Sequence, residues 1–145
     1  MGCDIHEFRE KKVNGEWVSA DEWETEEEED ERPWVSVVNG LHISRNYALF
    51  GFLANVRADI DGSFGDPRGL PEDVSTEVKE CSDQWDCDGH SHSFVTITEL
   101  KQAVTEMLIK PIEHQQYFIN DLREIISSLN EIGGEDQRFV FWFDN

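Results

Sequence analysis

Arg138-Phe139-Val140-Phe141-Trp142-Phe143 is the stretch that decides the fold. Successive strand residues point to opposite faces of a sheet. This run is apolar on both faces, so it belongs inside a sheet covered on both sides. It is placed centrally, beside the N-terminal strand at residues 3–9, whose apolar members are Cys3, Ile5 and Phe8. Asn14-Gly15 follows as a hairpin signal, because a tight primed turn needs positive φ at both central residues. Glu16-Trp17-Val18-Ser19 then supplies a partner strand. Trp34-Val35-Ser36-Val37-Val38 is rich in β-formers and is expected to return to the same sheet. Asn39-Gly40 reads as a second turn.

Helices are expected in three places. Over residues 46–57, Leu49, Phe50, Leu53 and Val56 recur at helical spacing and form one apolar face. Thr96-Ile97-Thr98-Glu99 fits a capping box, so a helix begins near Ile97, runs to about Lys110 and stops at Pro111. A longer helix covers 112–131, with Tyr117 or Phe118, Leu122, Ile125, Ile126 and Leu129 as its buried stripe. Gly133-Gly134 ends it. The fold class is therefore α+β: a small mixed or antiparallel sheet containing the N- and C-terminal strands, with about three helices packed on it.

The 145 residues suit a single domain, 1–145. Five Trp and nine Phe can build its core, since each buries a large area. Residues 21–32 carry nine acids in twelve positions and read as a solvated insertion, because such a run repels itself. Residues 58–92 hold many Asp, Gly and Pro and read as a long functional loop leading into a histidine cluster. The net charge of −20 argues against direct binding of nucleic acid, whose phosphates would be repelled. It is compatible with simple solubility or with a basic protein partner. No stretch reaches the ~18 to 20 apolar residues of a membrane span, and no secretory signal is read, so a cytoplasmic protein is expected. That setting keeps Cys3, Cys81 and Cys87 reduced.

Two polar clusters carry the chemistry. Cys3, Asp4 and His6 lie on the first strand; Asp86, Asp88, His90, Ser91, His92 and Ser93 lie far downstream. Strand residues two apart share a face, so Asp4 projects with His6, and His90 with His92. Asp4, His6, His90 and His92 together form a candidate metal site for zinc or a similar divalent ion, the one cofactor these residues point to. Cys81, Cys87, His90 and His92 are a weaker grouping, because the cysteine spacing exceeds that of tight structural zinc pairs. The alternative is that these histidines are hydrogen-bond partners in a polar pocket. Cys3, Ser91 and Ser93 match no known nucleophile signature, and His42-Ile43-Ser44 lacks the second copy a paired-histidine phosphoesterase needs. Arg45, Arg57, Arg68 and Arg138 are candidates for phosphate, which arginine binds in bidentate fashion, with Tyr47 available to stack on a base. Against this, each can pair with one of 32 acids.

Several of these segments, in order, carry a family resemblance. They are MGCDIH; Arg45-Asn46-Tyr47 with Leu49-Phe50 and 53–57; Arg68-Gly69-Leu70-Pro71-Glu72-Asp73-Val74-Ser75; Gly89-His90-Ser91-His92-Ser93-Phe94; and the 139–145 ending, FVFWFDN. Together they resemble a group of uncharacterised small proteins of bacteriophages and prophages. The resemblance implies a bacterial host cytoplasm and hints that Asp144 belongs to the site; it implies no activity.

Three functions follow as expectations. The first is a phage-type accessory protein whose pocket of Asp4, His6, Arg45, Tyr47, Arg57, Arg68, His90, His92 and Ser93 binds a phosphorylated nucleotide-like small molecule. Sequestration of a bacterial immune signal, a counter-defence role, is its concrete version. The second is a metal-dependent hydrolase using the Asp/His cluster. The third is an acidic nucleic-acid mimic that blocks a basic bacterial defence protein.

Overall fold

A computed structural model describes residues 2–25, 35–38, 43–57, 66–109, 116–132 and 136–145. Its central sheet has four antiparallel strands: β1 (Asp4–Val13), β2 (Glu16–Ser19), β5 (His90–Thr96) and β6 (Gln137–Asp144), in the order β2-β1-β6-β5. Strand β6 lies between β1 and β5, as its two apolar faces require, and Phe139 through Phe143 are all buried. Asn14 and Gly15, at φ 52° and 83°, make the expected tight turn between β1 and β2.

Strands β3 (Glu22–Thr25) and β4 (Val35–Val38) pair only with each other, in a separate two-stranded sheet. Val35–Val38 therefore does not return to the main sheet. Part of the 21–32 run, read as solvated loop, is β3, because β4 offers it a partner backbone. Residues 26–32 of that run, the Asn39-Gly40 turn, His42, Pro111 and Gly133-Gly134 lie outside the described residues.

Four helices are described rather than three. They are α1 (Tyr47–Ala54), α2 (Thr76–Trp85), α3 (Ile97–Ile109) and α4 (Gln116–Ile132), with a short 3₁₀ turn at Asp86–Asp88. The additional helix, α2, lies within 58–92, the segment expected to be a loop. It escapes pattern reading because only Val78 and Ser82 are buried along its ten residues. None of the helices described is long and apolar enough to cross a membrane.

The sheet separates two apolar clusters. Phe139, Phe141, Phe143, Ile5, Cys3 and Val95 face α1, α3 and α4. Phe8, Val140 and Trp142 face α2 through Val78, with Cys81, Trp85 and Phe94 packed around them. Fully burying one such large apolar side chain stabilises by ~1.5 to 3 kcal/mol, so β6, buried on both sides, anchors both layers.

Two polar devices fix the helices. Thr96 and Glu99 form the reciprocal capping box of α3: the Thr96 amide donates to Glu99 Oε1 at 3.0 Å, and the Glu99 amide donates to Thr96 Oγ1 at 3.0 Å. Glu10, fully buried, accepts from Arg138 Nε at 2.7 Å and from the Ser75 amide at 2.7 Å, which pins the start of α2 to the sheet.

Candidate functional site

Strand direction builds the site. Strands β1 and β5 both run antiparallel to β6, so the beginnings of β1 and β5 meet the end of β6 at one edge of the sheet. Asp4 lies opposite Asp144, His6 opposite Trp142, and His90 opposite Phe143. Alternation puts Asp4, His6, Trp142 and Asp144 on the face covered by α2.

On that face His6 Nε2 lies 2.5 Å from Asp144 Oδ2, a diagonal cross-strand contact. The His6 ring packs 4.2 Å from that of Trp85 at the end of α2, and 6.3 Å from Trp142. His92 reaches the same Trp142 ring at 5.5 Å, and its Nε2 lies 3.0 Å from Ser82 Oγ of α2. Burial, helped by the charges of His90 and Lys79, lowers the His92 pKa, so this ring is neutral near pH 7. Trp142 is thus shared by the two clusters expected to converge. Its buried indole Nε1 has no hydrogen-bond partner among the described residues.

His90 and His92 do not project together. The register shifts between His90 and Ser93, and Ser91 sits at φ 55°, so two residues of β5 oppose one of β6. The bulge turns His90 to the other side, 6.2 Å from the Phe143 ring, with Nδ1 2.9 Å from Ser91 Oγ and Nε2 3.3 Å from Asn145 Oδ1. Among the described residues no group of three or more His, Cys, Asp or Glu is arranged to hold a metal ion.

The Arg45-Asn46-Tyr47 motif positions three groups at once. Arg45 grips Asp4 with two hydrogen bonds, Nε to Oδ1 at 2.7 Å and Nη2 to Oδ2 at 3.1 Å. The Arg45 guanidinium holds the Asp4 carboxyl below the usual range. Gly2 makes room for this grip, because a β-carbon there would stand 2.0 Å from Arg45 Nη1. Asn46, fully buried, caps α1: its Oδ1 accepts from the Leu49 amide at 3.0 Å, and its Nδ2 donates to Asp121 of α4 at 3.0 Å. The Tyr47 hydroxyl accepts from the Cys3 amide at 3.2 Å, and the Arg57 guanidinium lies 5.6 Å from the Tyr47 ring. Arg57 also touches the Cys3 thiol, but burial outweighs it and raises the thiol pKa, so Cys3 is a packed group rather than a nucleophile.

Two candidates lie elsewhere. Arg68 forks onto Glu99, Nη1 to Oε1 at 3.0 Å and Nη2 to Oε2 at 2.6 Å, and also donates to the Phe94 carbonyl at 3.0 Å. Buried Ser93 accepts from the Arg68 amide at 3.1 Å. Both therefore serve the junction of β5 and α3. Arg138 likewise pairs with Glu10 and Asp73. The residues that sequence reasoning missed are Ser82, Trp85 and Trp142. The tryptophans read as core, and Ser82 sits on the helix that was not expected. Compared with known proteins, the chain matches no family model, no curated protein and no solved structure.

Proposed function

We propose that the chain binds a small phosphorylated, nucleotide-like anion at the edge where β1 and β5 begin and β6 ends. One observation carries the reading. In a chain of 12 basic and 32 acidic side chains, Arg45 and Arg57 come together with Tyr47 at the start of β1, and His6 lies near Asp4 on the other face of the strand. Arg45 is half-exposed, and Asp4 already holds its fork in the geometry that suits a phosphate. Exposed ion pairs contribute only ~0 to 1 kcal/mol, so a phosphate can take the place of Asp4 at little cost. Trp85, half-buried beside His6, offers a face for a base. The resemblance to phage proteins supplies a setting in which the ligand is a nucleotide signal of the infected cell, bound and withheld.

The test is calorimetric titration with AMP, ADP and a cyclic dinucleotide, with adenosine as the phosphate-free control. A phosphorylated ligand binds and adenosine does not. Arg45→Ala and Arg57→Ala each weaken binding by roughly tenfold to a hundredfold, the loss of one charge-assisted contact. Unchanged affinity in both variants, or no binding by any phosphorylated probe, overturns the reading.

A further inference from the structure

We propose that Ser91, His90 and Asn145 form a relay that hydrolyses carboxylic esters, with Ser91 as nucleophile, His90 as general base and Asn145 as positioning residue. The three side chains are joined in line. The Ser91 hydroxyl lies 2.9 Å from His90 Nδ1, and His90 Nε2 lies 3.3 Å from Asn145 Oδ1. An amide oxygen only accepts hydrogen bonds, so the neutral His90 ring carries its proton on Nε2. Nδ1 is then the bare nitrogen, and the Ser91 hydroxyl donates to it. A serine nucleophile needs this arrangement: a base within reach, held in one tautomer by a third group.

The backbone at Ser91 gives the relay its setting. Ser91 sits at φ 55° in the bulge where β5 slips register between His90 and Ser93. A serine in the left-handed region costs free energy, and such residues cluster at active sites. Just beyond it the edge of β5 is covered: the Gly69 amide donates to the His92 carbonyl at 2.8 Å, and the Arg68 amide to Ser93 Oγ at 3.1 Å. Ser91 precedes that cover. Ser91 and His90 are half-buried and Asn145 is exposed, so the relay opens to solvent. The buried Phe143 ring, 6.2 Å away, backs the His90 ring. Ser82 and His92 make a second serine–histidine contact, at 3.0 Å, but Ser82 is buried under α2 and cannot meet a substrate.

The chemistry runs in two steps. Ser91 Oγ attacks the ester carbonyl carbon as its proton passes to His90 Nδ1. The carbon–oxygen bond to the alcohol breaks, and the leaving oxygen takes that proton, which leaves an acyl-serine ester. Water then gives a proton to Nδ1 and attacks the acyl carbon. Ser91 Oγ departs with the proton, and the products are an alcohol and a carboxylic acid. The third group is an amide, not a carboxylate, so the imidazolium formed in each step meets no counter-charge there. That suits an ester, whose leaving group departs readily, better than an amide. The relay uses none of Arg45, Arg57, Tyr47 and His6, so it does not rest on the anion site and each can fail alone.

The test treats the full chain with a fluorophosphonate, which phosphonylates activated serines, and with p-nitrophenyl acetate. Intact mass and peptide mapping should find one phosphonyl group, on Ser91, and p-nitrophenolate release should exceed one equivalent per chain. Ser91→Gly should abolish both. Glycine accepts φ 55° without strain, so that variant folds and its loss reports the hydroxyl alone. His90→Gln should slow labelling about a hundredfold or more, the usual share of a general base. Asn145→Ala should slow it roughly fivefold to tenfold, the loss of one neutral hydrogen bond. Asn145→Asp should restore the rate, because a carboxylate oxygen also accepts from Nε2–H; a merely structural asparagine would show no such rescue. The proposal is overturned by a chain that takes no label on Ser91, by equal ester release from Ser91→Gly, or by an acyl group that is never released. Undiminished labelling of His90→Gln overturns it as well.

Discussion

His6 Nε2 and Asp144 Oδ2 lie 2.5 Å apart, joining the first strand to β6 at the edge where the candidate anion site opens. The contact is largely buried, with side-chain exposures of 24% and 18%, so solvent does not screen it fully. Asp144→Asn and His6→Ala are each expected to lower stability by about 1 kcal/mol, as a partner is lost. The double variant should cost less than the sum, because the residues act together. Urea midpoints of the four proteins measure this. Strictly additive losses would show that the contact contributes nothing.

Stability should fall as pH rises toward the alkaline side. Burial pushes the Glu7 carboxyl up to about 8 and that of Asp21 to about 6. In the unfolded chain both ionise near the ordinary carboxylate values. Between those values and the raised ones, the folded state holds protons that the unfolded state has released. Unfolding then releases protons, so stability drops with pH by up to about 1.4 kcal/mol per unit for each such group. Glu7→Gln, which cannot ionise, should flatten the decline between pH 5 and 8 and leave stability near pH 4 unchanged. Denaturation midpoints across that range test it, and a wild-type-like slope in the variant would refute the assignment.

Glu99 should give the opposite limb. The Arg68 fork and the Thr96 amide both favour its ionised form and hold its carboxyl below the usual range. Its contribution is complete above the unfolded carboxylate value and is lost as pH falls through the lower, folded one. Glu99→Gln should remove part of the acid-side loss, and Thr96→Ala should cost about 1 kcal/mol as a lost cap. Arg68→Ala should also destabilise, yet leave nucleotide affinity unchanged, because Arg68 serves the β5–α3 junction. Reduced affinity in a folded Arg68→Ala protein would return this residue to the anion site.

The parts legible in the sequence are those where one local signal agrees with burial. The two-faced apolar run at 139–143 demands a central strand, and Thr96 with Glu99 demands a helix start at Ile97. Helix α2 was hidden because Glu10 and Arg138, distant in sequence, hold its start, while its own residues are mostly polar. The separation of His90 from His92 was hidden because the bulge rests on a positive φ at Ser91, and serine is no signal for that conformation. Arg45 and Arg68 look alike as isolated arginines. Only the tertiary structure sends one to Asp4 on β1 and the other to Glu99 on α3. Trp142 pairs with His6 and His92 for the same reason that it packs: its ring spans the space between neighbouring strands.

Gly89 tests whether that packing sets the site. A β-carbon there would stand 3.2 Å from Trp85 Cβ, 3.3 Å from Trp142 Cδ1 and 3.7 Å from His92 Cε1. Its φ of −84° suits any residue, so backbone strain does not enter. Gly89→Ala therefore acts through crowding alone. The two tryptophans must give by a few tenths of an ångström, a cost of about 1 kcal/mol or more for overpacking. Because His6 packs on Trp85 and His92 on Trp142, both rings should shift with them. Near-UV circular dichroism and the histidine ring signals should change while the far-UV spectrum does not. If Gly89→Ala keeps wild-type stability and unchanged histidine signals, Trp85 and Trp142 do not position the two histidines.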